Sequence, residues 1–125
     1  MSVHLRLVAI GVLFLLKFLS GIWVGRSGEP IHTGILTIHK VISLLTVVFI
    51  AITIRHLRGD VGMSGVEIGV IVVTGVLFFF AILSGGLLST GKPMHPAILI
   101  VHQVTPFQTA LSTVVMVYLL AWAKL

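Results

Sequence analysis

Four apolar stretches, at about residues 3–25, 31–54, 66–88 and 97–122, make up most of this 125-residue chain, and they decide what it can become. Each is at least as long as the roughly 20 residues that cross a hydrocarbon core of about 30 Å. Inside a bilayer no water is available to satisfy backbone N–H and C=O groups, so a span of this length must be helical. Charged residues are 9% of the chain, against about 25% in soluble domains. The fold class expected is therefore all-α, an integral membrane four-helix bundle, with the lipid bilayer as the main partner. Arg6 precedes the first apolar run, as in a secretory signal. That run, however, is longer than an h-region and no A-x-A-like site follows it, so it reads as a span.

The formal charge of +5 does not point to nucleic acid, because it reflects a scarcity of acids: the chain has only Glu29, Asp60 and Glu67. The basic residues instead sort by helix end. Arg6, Arg55, Arg58 and Lys124 lie at one set of ends, Arg26 and Lys92 at the other. By the positive-inside rule both termini and the 55–65 loop are expected in the cytoplasm, with the chain in the cell (inner or cytoplasmic) membrane. With no cysteine, disulfides, iron–sulfur clusters, thiolate haem and covalently attached c-type haem are excluded.

The chain also repeats itself. "GVLFLLKFLSG" (11–21) returns as "GVLFFFAILSG" (75–85), with seven of eleven residues identical at an offset of 64. "GEPIHTGILTIHKV" (28–41) returns as "GKPMHPAILIVHQV" (91–104), with seven of fourteen identical at an offset of 63. The bundle is thus two tandem helical hairpins, repeat 1 over 1–62 and repeat 2 over 63–125. Two spans per repeat bring both copies in from the same side, related by an axis along the membrane normal. His32 is then expected opposite His95, and His39 opposite His102.

Seven residues turn a helix by about 700°, so the two histidines of each motif share a face, about 10.5 Å apart in rise. That face continues through Ser43, Thr46 and Thr53 in the second span and Pro106, Thr109 and Thr113 in the fourth. Polar groups in spans face the bundle interior, so all four histidines are expected to look inward. Interhelical hydrogen bonding alone would explain a single histidine. Two symmetric pairs point further, to axial ligation of a non-covalent haem b by His39 and His102 on facing helices.

The small residues Gly11, Ser20 and Gly21, matched by Gly75, Ser84 and Gly85, would let a macrocycle approach the backbone, although such residues are also ordinary helix-packing devices. Lys17 and Lys40 lie about eight residues inside the outer ends of their spans, and no acid lies in any apolar core. With Arg26, they are candidates to meet haem propionates; snorkelling to the interface is the alternative. His32 and His95 start their helices beside Pro30, Pro93 and Pro96. They are candidates for propionate contact, quinol proton transfer, a Cu or Zn site with Met94, or a second haem. His4 and His56 have no counterpart in the other repeat and read as interfacial.

An all-helical four-span chain with inward paired histidines, His39 and His102 and also His32 and His95, resembles the small b-type membrane cytochromes: cytochrome b561-like proteins, superoxide oxidase and their di-haem relatives. The resemblance implies one or two non-covalent haems with bis-histidine ligation, and electron exchange with quinones or outer-face redox proteins. Those families commonly space two ligands on one helix by about four turns; this chain spaces them by two and has nothing comparable in the inner half.

The expected function is electron transfer, as a quinone-linked oxidoreductase or its membrane-anchor subunit. An intramembrane Cu or Zn carrier or sensor using the paired histidines is the alternative, and a structural subunit with histidine cross-links is a third reading. GxxxG pairs at Gly21/Gly25 and Gly65/Gly69 offer surfaces for a homodimer or a larger complex.

Overall fold

A computed structural model describes residues 1–122; Lys124, placed above among the cytoplasmic basic residues, lies outside them. Among the described residues there are four helices and no strand: α1 (Val3–Arg26), α2 (Thr33–Arg58), α3 (Gly65–Leu88) and α4 (Pro96–Ala121). Their lengths of 24 to 26 residues correspond to about 36–39 Å at 1.5 Å per residue. All four are long and apolar enough to cross a membrane. The protein is all-α and a multi-pass membrane protein.

Local signals set the helix ends. Ser2 and Ser64 are N-caps whose hydroxyls accept from Leu5 N–H and Glu67 N–H, each at 3.2 Å. Glu67 returns the favour by accepting from Ser64 N–H at 2.9 Å, completing a capping box. At the other ends Ser27 and Ser89 close α1 and α3, their N–H groups donating to Trp23 and Gly85 carbonyls at 3.0 Å. The chain then turns through Gly28 (φ +81°) and Gly91 (φ +71°), left-handed positions that favour glycine. In α4, Pro106 has no N–H to give the His102 carbonyl.

The chain divides into two compact units, Met1–Leu57 and Arg58–Leu125, each carrying one helical hairpin. In the first, α1 meets α2 through Ser20 and His39. In the second, α3 meets α4 through Ser84 and His102, and again where Thr74 and Ser112 share a hydrogen bond.

The repeat extends to burial. The buried residues of α1 are Ile10, Phe14, Lys17 and Ser20; adding 64 gives Thr74, Phe78, Ala81 and Ser84, the buried residues of α3. Those of α2 are Thr46, Ile50, Thr53 and Leu57; adding 63 gives Thr109, Thr113, Met116 and Leu120, all buried in α4. The face expected from the histidine spacing is thus buried at Thr46, Thr53, Thr109 and Thr113. Buried threonines fit a membrane interior because each can donate to its own helix: Thr46, Thr109 and Thr113 bond the carbonyl four residues earlier at 2.7–2.8 Å.

Candidate functional site

His39 and His102 are each half-buried and held by the neighbouring helix of their own hairpin. The Ser20 hydroxyl donates to the Lys17 carbonyl at 3.0 Å, which leaves its oxygen to accept; His39 Nδ1 lies 2.9 Å from that oxygen. The Ser84 hydroxyl likewise donates to the Phe80 carbonyl at 2.7 Å, and His102 Nδ1 lies 3.1 Å from its oxygen. His102 Nδ1 is also 3.1 Å from the Ala81 carbonyl oxygen, which can only accept. Because the Ala81 carbonyl can only accept, His102 Nδ1 carries a proton; His39 Nδ1 stands against Ser20 in the matching arrangement.

The residue after each serine completes the cradle. A Cβ placed on Gly21 would lie 3.1 Å from His39 Cε1, and one on Gly85 only 2.8 Å from His102 Cε1. Both distances are tighter than ordinary contact, so each imidazole lies against bare backbone. The expected role of these glycines, admitting a macrocycle, gives way to a nearer one: they admit the histidine. Gly11 and Gly75, by contrast, face open space. The same difference touches the GxxxG pairs, since Gly21 is taken by His39 while Gly25, Gly65 and Gly69 are open.

His32 and His95 are differently employed. Both are exposed, which departs from the expectation that all four histidines look inward. His95 is the N-cap of α4, its Nδ1 accepting from Ala97 N–H at 3.1 Å. His32 plays the same part at the start of α2, its Nδ1 accepting from Ile35 N–H at 3.3 Å. Helix starts need such acceptors because their first N–H groups have no partner within the helix. An Nδ1 that accepts puts the proton of a neutral ring on Nε2. The two histidines of a motif thus use Nδ1 differently: the first accepts a backbone N–H with it, and the second, seven residues on, sets it against a serine oxygen.

Lys17 is buried, 6% exposed, with Nζ 5.7 Å from the centroid of the Phe14 ring one turn earlier. Its counterpart in the second repeat is Ala81. Lys40, Arg26, His4 and His56 are exposed. Among the described residues no group of three or more His, Cys, Asp and Glu side chains comes together as a metal site.

Ser20 and Ser84 were visible in the sequence only as small residues. The signal that identifies them is positional: "LSG" recurs in both repeats, and an antiparallel hairpin brings that tripeptide level with the second histidine of the following motif. Compared with known protein families, curated proteins and solved structures, the chain finds no match in any of the three.

Proposed function

We propose that this protein is a membrane b-type cytochrome in which His39 and His102 would hold one non-covalent haem. The observation that supports the reading is the matched pair of cradles. In each repeat a serine oxygen lies against Nδ1 and a glycine admits the ring, an arrangement that would direct Nε2 to the iron. Hydrogen bonds to the other ring nitrogen fix the orientation of ligand imidazoles and raise their basicity. Non-covalent haem asks for two such nitrogens, whereas a Zn or Cu carrier site asks for three or four donors in one cluster.

A haem so bound would supply one-electron transfer, with quinol or an outer-face redox protein as the exchange partner. Lys17 would offset the negative charge of the haem carboxylates from the buried face of α1, and Lys40 or Arg26 would do so from exposed positions. His32 and His95 have Nδ1 committed to their helix starts. They would therefore not ligate a second iron but present Nε2–H to an anionic or carbonyl oxygen. The closure of the two hairpins into one bundle and the cytoplasmic side of both termini belong to the same proposal, the latter resting on Arg6, Arg55 and Arg58.

The test is the absorption spectrum of detergent-purified protein, oxidised and dithionite-reduced, with a pyridine haemochrome count. One haem per chain with sharp reduced α and Soret bands, lost in His39→Ala and in His102→Ala, is expected. A colourless protein from haem-replete cells would overturn the proposal and send the search to bound metal.

A further inference from the structure

Gln108 is the thirteenth of the 26 residues of α4, about 18–20 Å from either end of the helix. Its side chain is exposed at the middle of a span, too short to reach either interface, and it makes no hydrogen bond among the described residues. An amide left in hydrocarbon without a partner is costly, and glutamines in spans bond across to another helix. The first repeat carries Leu45 at this place, so the hairpin itself does not need an amide there.

Two hollows on the surface of the second hairpin meet at Gln108. One, of about 440 Å³, lies between Gly69 and Val73 of α3 and Ser112 and Val115 of α4; the other, of about 360 Å³, runs beside Phe80 and Val104. Their lining is otherwise apolar, and the hydroxyls of Ser112 and Thr105 are already bonded, to Thr74 and to the Val101 carbonyl. Gly69 belongs to the open GxxxG pair with Gly65, and a Cβ placed on it would meet nothing within 4 Å. The groove therefore offers bare backbone that another helix can approach, with one amide in need of a partner.

We infer that this groove is the interface of a homodimer, in which Gln108 of each copy bonds Gln108 of the other across a two-fold axis along the membrane normal. Two copies inserted with the same topology can be related by such an axis, and a residue beside it meets its own copy at the same depth. A primary amide is both donor and acceptor, so two glutamines satisfy each other with a reciprocal pair of N–H to C=O bonds. A second copy thus supplies what the groove lacks without any further component, and its α4 side chains fill the hollows on either side of the amide pair. The dimer does not depend on haem, and its test does not read haem.

The experiment is energy transfer between labelled full chains in phosphatidylcholine vesicles. The chain has no cysteine, so Gly62→Cys, in the connection between α2 and α3, gives a single labelling site. Transfer between donor- and acceptor-labelled chains should persist as lipid dilutes the protein and fall when excess unlabelled chain is added. Gln108→Leu copies Leu45 and is expected to fold; it should raise the dissociation constant about tenfold or more, with Gln108→Asn, a shorter amide, in between. Gly69→Leu should weaken the dimer by filling the groove, since the hairpin places nothing near that position. Gln103→Leu removes an exposed glutamine about 140° round α4 and outside both hollows, and should leave transfer unchanged. Absence of transfer in the parent chain at high protein-to-lipid ratio would overturn the dimer and leave the groove to another occupant, the first hairpin or a lipid-soluble molecule. Undiminished transfer in a Gln108→Leu chain of unchanged helical circular dichroism would overturn the amide pair.

Discussion

His102 Nδ1 stands 3.1 Å from both the Ala81 carbonyl oxygen and the Ser84 hydroxyl oxygen, and only one proton position satisfies both. The carbonyl fixes the tautomer, and the tautomer fixes which nitrogen can bind iron. His39 Nδ1 lies 2.9 Å from the Ser20 hydroxyl oxygen in the matching place. The chemistry proposed for the pair thus depends on α1 and α3, which carry no ligand.

The glycines beneath the rings provide one direct check. Gly85→Ala would set a methyl group 2.8 Å from His102 Cε1, and the ring held by Ala81 and Ser84 would have to move. A loss of about 1–3 kcal/mol in stability is expected, together with weaker haem retention. Gly86→Ala, one residue on and with nothing within 4 Å, should be neutral or stabilising by up to about 1 kcal/mol. Denaturant titration in detergent, followed by circular dichroism, compares the two. Equal effects would remove the cradle from the account.

Capping and ligation predict opposite outcomes at His95. Asparagine is a good N-cap and a poor haem ligand, so His95→Asn should keep both the stability and the full haem content. His95→Ala should lose about 1 kcal/mol through the missing acceptor for Ala97 N–H, again with haem content unchanged. The pyridine haemochrome count on these variants, and on His32→Asn, reads the difference. A fall in haem on His95→Asn would make it a ligand.

Lys17 can be replaced by what the other repeat already uses. Lys17→Ala copies Ala81 and should leave the helices intact, since exchanging a buried charge for an apolar group is often neutral or stabilising. In the proposed haem complex, removing this cation should, however, disfavour the reduced state, lowering the midpoint potential by on the order of tens of millivolts. Redox titration of the loaded protein measures it. An unchanged potential would place Lys17 outside the electrostatic reach of the haem.

Much of the fold was legible because a bilayer leaves few alternatives. The expected span at 66–88 is observed as Gly65–Leu88, and the buried threonines follow from the seven-residue face that begins at His39 and His102. What was not legible turned on single atoms. Spacing alone cannot show that His95 turns Nδ1 back to Ala97 while His102 gives Nδ1–H to Ala81, because both histidines sit on one face and differ only in what lies beside them. Nor does hydropathy separate Gly21, pressed by a ring, from Gly25, which is open.

The residue-for-residue match of buried faces bears on how such a chain can specialise. Two identical hairpins associating as separate molecules must express every substitution twice, once on each side. Joined in one polypeptide, they are released from that obligation. The lysine at 17, where the second repeat has the alanine at 81, is a difference that only a covalently fused pair can hold. Duplication gave this protein two copies of one hairpin, and the peptide link between the copies is what permits one half to bury a charge that the other does without.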